Sequence, residues 1–169
     1  MEFSKLINSR YSVRAYKPDP VPDDVLMRVI EAARVAPTAA NRQAFQIIVI
    51  HTKGAEENLL EIYGKSWFVQ PPIVICACGV PGENWVRTDS RNFVDVDVAI
   101  VMDHLILAAA NEGLGTCWIG AFDPVAARRI LGLPDGVEPL IFTPLGFPVD
   151  HPREKKRKGI DELVRYERW

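Results

Sequence analysis

Long apolar runs, a cysteine framework and a strong charge of one sign are all absent from this 169-residue sequence. No stretch approaches the roughly 18 consecutive apolar residues of a membrane-spanning helix, so no membrane span is expected. The formal net charge of −2 does not suggest a nucleic-acid-binding protein, which is usually strongly basic on one face. Only three cysteines occur, Cys76, Cys78 and Cys117, and they form no disulfide framework. Together with the lack of a signal-peptide core, this favours a cytoplasmic protein.

Histidine is also scarce, and the spacing that metal ligands need is missing. His51, His104 and His151 are scattered along the chain, so no metal site is predicted. No Ser/His/Asp or Cys/His arrangement is recognisable, so we expect no catalytic side chain of that kind. Asp95 and Asp97 precede the most apolar part of a long predicted helix, where a role in the N-terminal turn is favoured over acid–base catalysis.

The hydrophobic pattern predicts a single domain over residues 1–169 in which helices and strands alternate irregularly. Strict βαβ alternation is absent, which favours an α+β fold over a doubly wound sheet. The longest predicted helix, 92–112, is apolar on nearly every side, so a second subunit is expected to cover part of it. Helices are predicted at 2–9, 22–35, 54–63, 92–112 and 123–133, and strands at 44–51, 71–79, 114–120 and 138–148.

Two basic clusters lie near opposite ends of an otherwise acidic chain. Arg10 and Arg14 flank Ser12, and their spacing of four would place both side chains on one side of a helical turn. Lys155 and Arg157 would share one side of an extended tail. Because both side-chain types donate to phosphate oxygens, the clusters could converge on one dianion. The alternative is that each cluster is simply solvated surface.

Two further segments interrupt the regular pattern. "RVAPTAANRQAFQ" carries Asn41 and Gln43, whose amides can donate and accept, although a plain helix-to-strand loop explains it equally well. "GLGTCWIGAF" holds Gly113, Gly115 and Gly120, and glycine permits close approach of a ligand to the backbone. It lacks the GxGxxG order, so a Rossmann dinucleotide site is not expected.

Taken in order, four segments resemble the FMN-dependent nitroreductase family. "SRYSVRAY" resembles its N-terminal Arg-x-Ser-x-Arg/Lys phosphate motif, and "APTAANRQAFQIIVI" resembles its Pro-Ser/Thr-x-x-Asn-x-Gln segment before the first strand. "DVAIVMDHLILAAANEGLGTCWIGAF" resembles the long interface helix and the strand after it. "REKKRKGIDELVRYERW" resembles the C-terminal Lys-x-Arg tail. Each motif is loose by itself, but the four together span nearly the whole chain.

The resemblance implies a central, mostly antiparallel sheet flanked by helices, and a homodimer with two FMN sites at the subunit interface. It implies reduction of nitroaromatics, quinones or similar small acceptors by NAD(P)H in a two-step, ping-pong hydride cycle, with the flavin rather than a side chain carrying the chemistry. Alternatives are a related flavoenzyme acting on an enone, a halogenated phenol or free flavin, and a non-catalytic FMN-binding dimer. The implied phosphate and ribityl ligands are Arg10, Tyr11, Ser12, Arg14, Lys155 and Arg157. The other subunit would contribute Pro37, Thr38, Ala39 and Asn41, and the flavin ring would lie along Trp118, Ile119, Gly120 and Ala121.

The chain also departs from the family pattern. Ala44-Phe45 stands where many members have Pro-Trp, and Gly120-Ala121 stands where many have Glu-Gly. A carboxylate often found near the flavin edge is therefore missing. The segment between Gly79 and Asn92 is short and leaves little room for a large lid. These departures leave the range of acceptors open, and the sequence does not distinguish NADH from NADPH.

Overall fold

A computed structural model describes residues 2–169, which form six α-helices and four β-strands. All nine predicted elements are present, and the structure adds one short helix in the tail. The helices are α1 (Phe3–Ser9), α2 (Asp23–Arg34), α3 (Glu56–Ile62), α4 (Val94–Asn111), α5 (Pro124–Leu131) and α6 (Ile160–Leu163). The strands are β1 (Phe45–His51), β2 (Ile73–Gly79), β3 (Gly115–Thr116) and β4 (Glu138–Gly146).

The strands form one sheet in the order β1-β2-β4-β3, and every neighbouring pair is antiparallel. The predicted α+β class is therefore confirmed. Every residue of β2 is buried, as its continuous apolar run indicates. Alternate side chains of β2 enter two core clusters, one shared with α2 and α4 and the other with α3 and α5.

The third strand is shorter than predicted. The apolar stretch 114–120 suggests one continuous strand, but only Gly115 and Thr116 pair regularly with β4. At the next residue, the Cys117 N–H donates to the side-chain oxygen of Thr143 at 3.1 Å and so leaves the ladder. Backbone pairing returns only at an isolated bridge between Ile119 and Phe142.

Helix α4 packs one face into the protomer's own core and leaves the opposite face partly open. Val98, Val101 and Leu105 are fully buried between α2 and the sheet. The other face is apolar but only half-buried, and Val96 on it is 40% exposed. The sequence predicts that α4 is buried on nearly every side, but within one protomer only one of its faces is buried. The partly open face comprises Val96, Ala99, Ile100, His104, Leu107 and Ala108.

Membrane insertion finds no support in these helices. Within residues 2–169, none combines the length and the apolar character needed to cross a bilayer.

Candidate functional site

The segment between α1 and α2 that carries the first basic cluster is extended, not helical. Ser12 forms a parallel bridge with Thr116, and the Val13 N–H donates to the Thr116 carbonyl at 2.9 Å. Val13 is buried against Gly115, while Ser12 and Arg14 are exposed. The helical turn on which the spacing of Arg10 and Arg14 would align them is therefore not formed. In an extended chain, alternate side chains share a side, so Arg10, Ser12 and Arg14 still point the same way.

The thiol of Cys117 lies under this row of polar side chains. Burial raises the pKa of Cys117, whereas the charge of Arg14, a hydrogen bond with the Ser12 side chain and the charge of Arg10 all act to lower it. All three side chains of the row are therefore close to the same thiol, and the N-terminal cluster is a compact group of donors.

Asp150 ties the start of the tail to this segment. Its carboxylate accepts a hydrogen bond from the Arg14 N–H at 3.0 Å, and its backbone carbonyl accepts one from the Tyr11 hydroxyl. Burial and the nearby Asp150 raise the pKa of Tyr11. Asp150 is not recognisable as a site residue from the sequence, because an isolated aspartate after a strand fits any loop. A cavity of about 280 Å³ opens here, lined by Tyr11, Ser12, Arg14, Asp150, His151 and Arg153.

The second basic cluster returns to the same end of the molecule. The Lys155 ammonium donates to the carbonyls of Ile7 and Asn8, at 3.0 and 2.6 Å, and so caps the last turn of α1. Partial burial lowers the pKa of Lys155, and Arg10 and Arg157 lower it further. The three cations are thus near neighbours. Among residues 2–169, none of them has a carboxylate partner.

The Arg14 guanidinium makes a contact that those three cations do not share. It lies over the ring of Trp67, 5.8 Å from the ring centroid, and the sequence did not single out Trp67. The described protomer therefore divides the predicted phosphate ligands into two neighbouring groups. One group is Arg10 with Lys155 and Arg157, and the other is Ser12 with Arg14 beside Asp150.

The loop that follows α2, residues 38–43, has an unusual backbone. Ala40, Asn41 and Gln43 have φ values of 51°, 53° and 54°, a left-handed conformation that residues with a side chain adopt rarely. The Gln43 N–H donates to the Thr38 hydroxyl at 3.0 Å and closes the loop. Among the predicted ligands here, Pro37 and Asn41 are exposed, and Thr38 and Ala39 are half-buried.

Loop 38–43 lies at the opposite end of α4 from the cations. The Ala39 N–H donates to Asp97, in the first turns of α4, at 2.8 Å. By contrast, a cavity of about 130 Å³ joins Arg10 and Tyr11 to Ala110, in the last turn of that helix, and to the residues after it. An 18-residue helix is about 27 Å long. One protomer therefore does not bring loop 38–43 to the basic clusters.

The strip from Trp118 to Ala121 presents an open surface. Trp118 is 43% exposed, and Gly120 and Ala121 are exposed as well. A Cβ placed on Gly120 would meet nothing within 4 Å, so no side chain fills the space beside it. Ile119 differs, because its side chain packs in the core with Phe142 and its backbone N–H and carbonyl are both hydrogen-bonded to that residue.

The donor set at the basic end fits a phosphate monoester. Such a group carries about −1.5 to −2 charges near neutral pH, and three clustered cations without acidic partners offset that charge. The exposed strip 118–121 leaves room for a planar ring system beside Trp118. Within residues 2–169, no group of three or more His, Cys, Asp or Glu side chains is placed to hold a metal ion.

Comparison with known proteins gives consistent matches along the chain. The model of the nitroreductase family matches residues 7–74 and 63–147. The crystal structure of a nitroreductase family protein from Clostridium difficile 630 superposes with a TM-score of 0.92 at 33% identity and covers 100% of both chains.

Two curated relatives are more distant. A candidate NADH dehydrogenase/NAD(P)H nitroreductase from Methanothermobacter thermautotrophicus is 28% identical over 180 residues, which is 100% of this chain and 88% of the relative. An NADPH-dependent oxidoreductase from Staphylococcus aureus is 28% identical over 182 residues, which is 97% of this chain and 72% of the relative.

Proposed function

Because the chain belongs to the nitroreductase family, we propose that it is an FMN-dependent oxidoreductase that uses NAD(P)H to reduce small acceptors such as nitroaromatics or quinones. The observation that carries this proposal is the meeting of Arg10 with Lys155 and Arg157, from opposite ends of the sequence, without a carboxylate to neutralise them. Such a cluster is costly unless an anion binds there. The names of the two curated relatives support the nicotinamide cofactor.

The proposed site is shared between two copies of the chain. Loop 38–43 contacts α4 at Asp97 and the basic clusters lie near Ala110, which is about 20 Å farther along the helix. Two copies with their α4 helices packed in opposite directions would place each loop beside the partner's cations. The partly open apolar face of α4 supports this pairing, because such a face is typical of an interface.

Binding and orientation are the tasks of this chain's own residues. Arg10, Lys155 and Arg157 would hold the phosphate, with Tyr11, Ser12 and Arg14 toward the ribityl chain. Pro37, Thr38, Ala39 and Asn41 of the partner copy would meet the ring from one side, and the strip 118–121 would line the other. Residues 1–169 would act as one functional unit, because the N-terminal and C-terminal basic clusters are both needed to hold one phosphate.

Bound FMN would supply the hydride chemistry between NAD(P)H and the acceptor, and the basic clusters together with the strip 118–121 would hold it in place. The open space beside Gly120 leaves one edge of the site accessible to both substrates in turn. Within the described residues, no side chain in the strip 118–121 is positioned to act as an acid or a base, because Trp118, Ile119, Gly120 and Ala121 carry no titratable group.

One absorbance spectrum and one anaerobic titration test this proposal. The purified protein, loaded with FMN, is expected to quench flavin fluorescence and to release free FMN on denaturation. NADH or NADPH added without oxygen should bleach the flavin absorbance, and a nitroaromatic or quinone should restore it. Flavin binding without bleaching would instead support a non-catalytic FMN-binding dimer. FMN whose fluorescence stays unquenched at a concentration many times a micromolar dissociation constant would overturn the flavin assignment.

A further inference from the structure

Asp97 is a buried carboxylate whose place in the fold is unusual. It lies in the first turn of α4, is 1% exposed and belongs to a helix face that is otherwise apolar. Asp95, two residues earlier, is exposed and shares the favourable position of an acid near a helix N-terminus. The helix dipole therefore accounts equally for both acids and does not explain why one of them is buried.

The contact that Asp97 makes points to loop 38–43. One carboxylate oxygen accepts the Ala39 N–H at 2.8 Å, directly before the left-handed residues Ala40 and Asn41. That backbone is strained for residues with a Cβ, so it persists only where neighbouring contacts hold it. On its far side, the loop is closed by the hydrogen bond from the Gln43 N–H to Thr38.

The same carboxylate lowers the stability of the protomer. Its second oxygen, Oδ2, is buried and has no hydrogen-bond partner among residues 2–169. A buried carboxylate oxygen without a donor is unfavourable, and an uncharged side chain of similar size would avoid that cost. A side chain that fixes a strained loop while it weakens the core is expected at a ligand site and not at a packing position.

We propose that Asp97 is the positioning residue of the FMN site: through Ala39 it holds loop 38–43 in the conformation that meets the flavin. This inference rests on the proposed function. Asp97 acts through the backbone of the loop and does not itself touch the cofactor. The carboxylate is not needed as a charge, since what the loop requires is an acceptor at the position of Oδ1.

Three variants of the full chain separate this role from a structural one. Asp97→Ala removes the acceptor, Asp97→Asn keeps an oxygen acceptor without the charge, and Glu57→Ala removes an exposed acid from the first turn of another helix, α3. FMN affinity is measured by quenching of flavin fluorescence, and amide hydrogen exchange reports the protection of loop 38–43. Thermal unfolding of the FMN-free proteins reports the fold.

The expected results differ in direction between the assays. Asp97→Ala weakens FMN binding by roughly tenfold or more, the effect of one hydrogen bond to a charged acceptor, and exchange at loop 38–43 speeds up. Asp97→Asn restores binding to within about threefold of the wild type, and Glu57→Ala leaves both readouts unchanged. The FMN-free Asp97→Asn protein unfolds at the same temperature as the wild type or higher, because a buried charge is gone.

Two outcomes would overturn this inference but not the proposed function. In the first, the wild type binds FMN and Asp97→Ala binds it equally well. In the second, Asp97→Asn folds but binds FMN as weakly as Asp97→Ala does. A wild-type protein that leaves FMN unquenched overturns the proposed function, and the role of Asp97 toward FMN with it. If Asp97→Ala does not fold, Asp97→Ser replaces it, because its hydroxyl is too short to reach the Ala39 N–H.

Discussion

Replacing Arg10 by methionine isolates the charge that the proposed phosphate site depends on. Arg10 is half-buried, and among residues 2–169 its guanidinium has no carboxylate partner. It lies close enough to Lys155 to help lower the pKa of that ammonium. Methionine preserves most of the apolar stem of arginine, so the substitution removes a cation without breaking an ion pair in the protomer.

The size of the effect follows from the contacts that phosphate would gain. One charge-assisted hydrogen bond is worth about 1.5–3 kcal/mol, so FMN affinity should fall by roughly ten- to a hundredfold. The FMN-free protein should not be destabilised, because the change relieves repulsion among three neighbouring cations. The pKa of Lys155 should at the same time move back up toward its ordinary value.

Riboflavin makes the assay specific, since it has the ring and the ribityl chain but no phosphate. Fluorescence titrations with FMN and riboflavin are run on the wild type, on Arg10→Met and on Lys53→Met, an exposed cation outside the site that controls for net charge. We expect Arg10→Met to lose affinity for FMN only, and Lys53→Met to lose none. Equal losses for both ligands, or no loss for FMN, would refute the phosphate assignment.

Two further predictions address the same end of the molecule. Partial burial and its cationic neighbours hold the pKa of Lys155 below 10.5 in the free protein, and a bound phosphate should raise that pKa. FMN affinity should therefore be full below the Lys155 pKa of the free protein and should fall as pH rises above it. Fluorescence titrations across alkaline pH check this, and a flat profile would exclude Lys155 as a ligand. Gly115→Ala would place a Cβ 2.7 Å from Val13 and should lower the free energy of unfolding by about 1–3 kcal/mol. The melting temperature should fall and FMN binding should weaken. The control Gly82→Ala, whose Cβ would meet nothing within 4 Å, should change neither.

The hydrophobic pattern predicts nine of the ten helices and strands, by periodicity in α2 and by continuous apolar runs in β2 and α4. The α5 boundary shows how local signals add to it: Asp123 accepts from the Val125 and Ala126 N–H groups, as its position before Pro124 indicates. The end of β3 was not predictable, since it depends on Thr143, a residue 26 positions away from Cys117. The spacing of residues along the chain contains no information about such a long-range contact.

The candidate site shows the same division between local and long-range information. The basic clusters are visible in the sequence, but the spacing of Arg10 and Arg14 does not show whether the segment is a helical turn or, as the structure has it, extended. A spacing of four fits both geometries, because alternate residues of a strand also share a side. Asp150 and Trp67 were missed, since each acquires its role only from the tertiary contact with Arg14.

The orientation of α4 decides how the shared site is best tested. The sequence shows an apolar helix but not which side faces a partner, and residues such as Val101 look suitable for a disruptive charge. In the structure Val101 is fully buried in its own core, so Val101→Asp should unfold the protomer and reveal nothing about pairing. Leu107 lies on the partly open face, in a groove with Phe3 and Val35, which are 65% and 58% exposed.

A charge at Leu107 should therefore separate folding from assembly. We expect Leu107→Asp to give a folded protomer that light scattering reports as a monomer. It should retain little FMN, because loop 38–43 and the basic clusters of one protomer are too far apart to hold the same cofactor. Val125→Asp, at a 75% exposed position on α5, is the matched control and should keep both dimer and flavin. A monomeric Leu107→Asp protein that binds FMN as tightly as the wild type would place the whole site within one protomer and contradict the pairing of α4 helices.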